Sequence, residues 1–117
     1  MHTRLTRTLS LVVCAALLAS CDFQKEADAK FGDQHLKTAI ALIELHKVRY
    51  GKYPDSLADL RFTGDWDQIA LSSVEYKPSG PGYELNLVRG WIGKPSNQYP
   101  AEFWQGLGAV KSSAKPQ

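Results

Sequence analysis

An α+β fold is predicted for this chain, with a long helix packed on a small antiparallel β-sheet, and three observations predict it. Leu36, Ile40, Ile43 and Tyr50, with Ala39 between them, fall on one helical stripe in a proline-free stretch. Gly51 to Pro54 then supplies residues that stop a helix. Further on, Val74-Glu75-Tyr76-Lys77 and Tyr83-Glu84-Leu85-Asn86-Leu87 alternate apolar and polar residues around Ser79-Gly80-Pro81-Gly82, the pattern of a hairpin with one face on a core.

The first segment is not part of that fold. Residues 1 to 10 are polar and carry Arg4 and Arg7 without an acid, and Leu11 to Leu18 is continuously apolar, the order of an export signal. The apolar run is too short to cross a bilayer core, which takes about 20 residues of helix. It closes on Leu18-Ala19-Ser20-Cys21, which resembles a bacterial lipobox. The resemblance implies cleavage between Ser20 and Cys21, a lipid on the Cys21 thiol, acylation (palmitate) of the new amino terminus, and a membrane anchor. The alternative is an ordinary secretory signal, which Ala16, Ala19 and Ser20 also allow. In lipoproteins of enteric bacteria an aspartate after the lipidated cysteine holds the protein at the inner membrane. Asp22 therefore implies the periplasmic face of the inner membrane, with the inner leaflet of the outer membrane as the other possibility.

Processing changes the composition. Of 14 basic residues, Arg4 and Arg7 leave with the signal, while all 12 acids lie beyond residue 21, so the mature net charge is zero. That gives no support to nucleic-acid binding, which needs a basic surface. Cys14 also leaves and Cys21 is modified, so neither a disulfide nor a thiolate metal site is expected. Removal of the first 20 of 117 residues leaves 97, one small domain that depends on large apolar anchors.

Along the mature chain the expected organisation is a lipidated cysteine and tether over 21–32, a folded domain over 33–107 and a disordered tail over 108–117. Gly32-Asp33 reads either as a fresh helix start or as a weak point inside one longer helix, and a firm helix is expected from about Asp33. Glu26, Asp28 and Asp33 near its start and Lys47 and Arg49 in its last turn complement the helix dipole. Gly51 occupies the position of a left-handed cap. Pro54-Asp55-Ser56 ahead of Leu57 and Leu60 predicts a short second helix, followed by a polar connection to the hairpin. Trp91-Ile92 and the segment from Tyr99 to Trp104 are expected to extend or cover the sheet. The tail from Lys111 has no large apolar residue.

The succession of a long helix ending in Tyr50-Gly51-Lys52-Tyr53-Pro54, a short element over Asp55-Ser56-Leu57 to Leu60, and a hairpin beginning Val74-Glu75-Tyr76 resembles the periplasmic domain of type IV pilin-like proteins. It is similar in particular to the major pseudopilin of type II secretion, and the likeness covers roughly Leu36 to Leu87. It implies a helix with an antiparallel sheet wrapped against it. The chain departs from that family before Asp22, where a lipobox stands in place of a prepilin peptidase site and an assembly helix. A monomer is therefore expected in place of a filament.

No serine–histidine–acid set, paired carboxylates or phosphate loop is present in a convincing context, so neither catalytic residues nor a cofactor is expected. His35 and His46, eleven residues apart, lie about 16 Å apart along a helix and cannot share a metal. Asp65 and Asp67 around Trp66 fall short of the six to eight oxygens calcium takes, and they read as a solvated turn. Trp66, Trp91 and Trp104, with Tyr99 and Phe103, either fill the core or form a ligand platform, for which Trp66 and Trp104 are the candidates. The expected function is a membrane-anchored, non-catalytic module that contacts an envelope protein, with a small-ligand or glycan-binding lipoprotein as the alternative.

Overall fold

The computed structural model describes residues 30–88 and 98–116. Ser20, Cys21, Asp22 and Trp91 lie outside the described residues. Helix α1 occupies 30–50, a 3-10 turn Leu57–Asp59, helix α2 Asp65–Ser72, strands β1 Val74–Ser79 and β2 Gly82–Leu87, a second 3-10 turn Ala101–Trp104, and strand β3 Ala109–Ser112. The sheet order is β1-β2-β3. The molecule is α+β, as expected from its periodicities.

α1 forms because Leu36, Ala39, Ile40 and Ile43 make a continuous apolar stripe, and all four are buried against the sheet. It ends where expected: Gly51 adopts φ 78° and its N–H reaches the Lys47 carbonyl at 2.9 Å, the left-handed cap that glycine takes without a Cβ penalty. The helix is already running at residue 30, with Gly32 buried inside it. A start near Asp33 is therefore corrected, because the helical backbone runs through the buried glycine without a break. The short second helix is a single 3-10 turn, whose Asp59 carboxylate accepts the Ser56 backbone N–H at 3.1 Å.

The hairpin is the one read from alternation, with Val74 opposite Leu87 and Ser79 opposite Gly82. Two further elements were not anticipated. The Asp65-Trp66-Asp67 segment is the first turn of α2 and not a turn in a polar connection: the Asp67 carboxylate accepts the Gly64 N–H at 2.8 Å and caps the helix start. The supposed tail over 108–117 supplies β3, which pairs parallel to β2 with Tyr83 opposite Ala109 and a bulge between Tyr83 and Glu84. The sheet is thus mixed, not antiparallel throughout, and the domain extends beyond residue 107. Ala114 is fully buried and its carbonyl accepts the Tyr99 N–H at 2.8 Å. Small residues allow this close edge pairing, and a search for large apolar side chains passes over them.

The β2–β3 contact is close enough to require glycine. A Cβ on Gly82 would overlap the carbonyl oxygen of Gly108, the group that accepts the Tyr83 N–H at 2.9 Å. Gly82→Ala is therefore expected to cost about 1–3 kcal/mol, the usual range for forced overpacking. The measurable signs are a lowered denaturation midpoint and faster amide exchange at Tyr83, with the Tyr76–Leu85 pairing retained. Unchanged exchange at Tyr83 would contradict the close approach.

Candidate functional site

Among the described residues, two places hold side chains with chemical potential: a half-buried carboxylate under the sheet and the solvent-facing aromatics. Glu44 projects from α1 toward the sheet, and its carboxylate gathers three donors. The Tyr53 hydroxyl donates to Oε2 at 2.9 Å, the Tyr83 hydroxyl to Oε1 at 2.9 Å, and the Gly108 backbone N–H to Oε1 at 2.8 Å. Tyr53 meets the fully buried Tyr83 edge-on, with ring centroids 5.0 Å apart, and Tyr76 lies on the other side at 5.7 Å. The Tyr76 hydroxyl donates to the Pro54 carbonyl. The Tyr53-Pro54 pair is thereby fastened from both ends, which explains locally why the chain folds back against α1 after Gly51.

This cluster binds the fold together. Burial, then the Glu44 hydrogen bond and charge, push the Tyr53 hydroxyl up to about 12, and the same causes raise Tyr83 further. Burial and the Asp33 carboxylate raise Tyr99. All three stay protonated near neutrality and cannot serve as bases there. The pH consequence follows from the sign: the ordinary value is near 10, so the unfolded chain releases these protons first and stability falls as pH rises. We expect the fold to hold from pH 7 to 9 and to weaken progressively from about pH 10 through Tyr53's value near 12. Tyrosinate absorbance and circular dichroism recorded together check this. Titration of every tyrosine near 10 with the fold intact would refute it.

Among the described residues, Trp66 and Trp104 do not share a platform. Trp66 stands on the first turn of α2 and is 81% exposed, whereas Trp104 is 5% exposed. Trp104 packs on Phe103 and Tyr99 at centroid distances of 5.0 and 5.9 Å, and its indole N–H donates to the Tyr99 carbonyl at 3.3 Å. It is a core residue with its polar atom satisfied, so its assignment to a ligand platform is corrected. One edge of it borders an open hollow with Glu102, Gln105 and Lys115 that does not include Trp66.

The remaining sequence candidates are also placed. His46 is buried with Nδ1 2.9 Å from the Lys52 carbonyl, while His35 stacks on Phe31 and burial lowers its pKa. Asp65 and Asp67 serve the start of α2. Among the described residues no group of three or more histidine, cysteine, aspartate or glutamate side chains could hold a metal ion.

Sequence reasoning missed Phe62, which is 79% exposed and held at φ 59°. A left-handed backbone is costly for an aromatic residue. The Arg49 guanidinium lies 5.1 Å from its ring centroid, which joins the loop before α2 to the end of α1. No local pattern announces it, because the strain arises from the fold around it. In comparison with known proteins, no family model, no curated protein and no solved structure matches the chain.

Proposed function

We propose that this protein is a lipid-anchored envelope module, held through Cys21 at the periplasmic face of a membrane, that works by contacting another protein. The single observation that carries the anchor is Leu18-Ala19-Ser20-Cys21 behind an apolar run. Among the described residues no helix is long and apolar enough to cross a membrane, so attachment falls to the thiol. With ~0.8 kcal/mol per buried methylene, two or more acyl chains hold a protein stably. Asp22 supports the inner membrane as the site.

The contact surface is α2. Ala70 and Leu71 bury its inner side, while Trp66 and Ile69 face solvent. A largely exposed tryptophan on a helix is the residue type that dominates contact energies at interfaces. Pilin-like organisation, and with it a role accessory to a secretion or pilus system, is supported by the helix that ends in Gly51-Lys52-Tyr53-Pro54 and leads into the hairpin. The glycan-binding alternative loses its paired aromatics, because Trp104 is in the core.

Metabolic labelling with a fatty acid tests the anchor. Wild type is expected to carry label and Cys21→Ala to accumulate as unlabelled precursor, whereas normal processing of that variant without label on the wild type would end the lipoprotein reading. For the contact, Trp66→Ala is expected to leave the melting temperature within a degree or two, as surface changes do, while abolishing crosslinks to the partner in whole envelopes. Persistent crosslinks would move the interface away from α2.

A further inference from the structure

The solvent side of α1 is sorted by charge. The exposed residues of α1 are Lys30, Phe31, Gln34, Lys37, Ala41, Leu45, Lys47, Val48, Arg49 and Tyr50, and the Lys37 ammonium lies over the Tyr99 ring. The exposed residues include four cations and no acid. Both acids of the described helix are turned toward the fold: the Asp33 carboxylate accepts the Tyr99 hydroxyl at 3.2 Å, and Glu44 accepts its three donors. Solvated helices of neutral domains ordinarily mix signs on the outer face and gain from i,i+4 pairs. Here the apolar members, Val48 at 79% exposure, Phe31 and Leu45, stand among cations alone. Phe62 extends the same face at the Arg49 end.

We propose that this face of α1 lies on an anionic lipid surface, with the helix in the plane of the bilayer. The proposal rests on the lipid-anchor reading. Cationic residues beside aliphatic and aromatic ones on one side of a helix are the composition that binds at the headgroup boundary. Long basic side chains there cover apolar surface while their charged ends stay among the phosphates. Tether length permits the pose: eight residues lie between Cys21 and Lys30, a reach of up to about 30 Å. The anchor therefore holds the face near the bilayer without forcing the helix upright. The tether carries Asp22, Glu26 and Asp28 against Lys25, so the attraction belongs to α1 and not to the segment before it. An anionic bilayer surface attracts each nearby basic residue by roughly a fivefold gain in partitioning, and salt screens that gain.

The test uses the lipidated mature protein in vesicles. With Cys21 acylated and Cys14 removed, Ala41→Cys introduces a unique thiol for a nitroxide on the outer face, and Lys77→Cys provides a second position on the hairpin. On vesicles of phosphatidylcholine with phosphatidylglycerol, the nitroxide at position 41 is expected to lose most of its collisions with an aqueous nickel chelate. The probe at position 77 should keep them. On pure phosphatidylcholine, at high salt, or with Lys30→Glu and Arg49→Glu together, collisions at 41 should return, provided melting shows the variant folded. Full aqueous access at 41 on the anionic vesicles, in protein that carries its fatty-acid label, would overturn this inference and leave the anchor standing. Shielding of 41 only in native envelopes would also overturn it, by giving the face to an acidic protein. Absence of the label on Cys21 would remove the anchor reading, and this inference with it.

Discussion

Ile43→Asp abolishes cooperative folding: that is the expected result of the largest single change considered for this domain. Ile43 is 0% exposed at the centre of the α1 stripe, in the cluster that also holds Leu36, Ile40, Tyr83 and Leu85. Truncating a buried isoleucine alone costs about 2–5 kcal/mol. Aspartate adds an unpaired charge, or a protonated acid without partners, in an apolar site. Domains of this size are stable by only about 5–15 kcal/mol, so the sum consumes most of what is available. A thermal melt of the purified variant should show no sigmoidal transition. Val48→Asp on the same helix, where the side chain is exposed, should melt close to wild type. Equal midpoints for the two would mean that α1 packs through a different face.

The second large effect is expected at Glu44. Glu44→Ala leaves the Tyr83 hydroxyl and the Gly108 N–H without their acceptor beneath the sheet. A buried donor stripped of its partner costs about 1–3 kcal/mol, so a loss of roughly 3 kcal/mol or more is expected for the cluster. The loss should be uneven. Gly108 leads directly into β3, and amide exchange should therefore rise through Ala109–Ser112 before it rises in β1. If the variant unfolds outright, Tyr83→Phe offers a milder form, removing one donor and leaving the carboxylate with the other two. Uniform exchange across all three strands in both variants would show that Glu44 does not fasten the C-terminal strand.

The elements legible in the sequence were those whose pattern matches their packing. α1 buries one stripe, and its end carries the glycine that the geometry requires. The hairpin alternates because one face of β2 meets α1. α2 was hidden because its apolar residues sit on both sides: Ala70 and Leu71 inward, Trp66 and Ile69 outward. No single-face period survives that arrangement. β3 was hidden because Ala109 and Ser112 are small, and burial at a parallel edge does not need bulk. Trp66 and Trp104 show the same limit in the candidate site. Identical side chains with opposite fates are separated by tertiary neighbours, Tyr99 and Phe103 for one and solvent for the other. Nothing in the local sequence singles out Glu44, since its tyrosine partners lie 9 and 39 positions away.

The Glu44–Gly108 bond also sets an order of assembly. Its two ends are 64 positions apart, and a chain leaving the ribosome has the helix and hairpin in hand well before residue 108 arrives. Closing the longer loop adds little entropy cost, because that cost grows only as the logarithm of length. What is missing until the end is the donor itself and the strand that follows it. A chain that stopped before Gly108 would carry a carboxylate still lacking its third donor and an uncovered edge on β2. Such an edge invites pairing with other chains and attack by proteases. Completion of the sheet thus waits on the segment that follows Gly108, although the helix and hairpin it closes on are made long before.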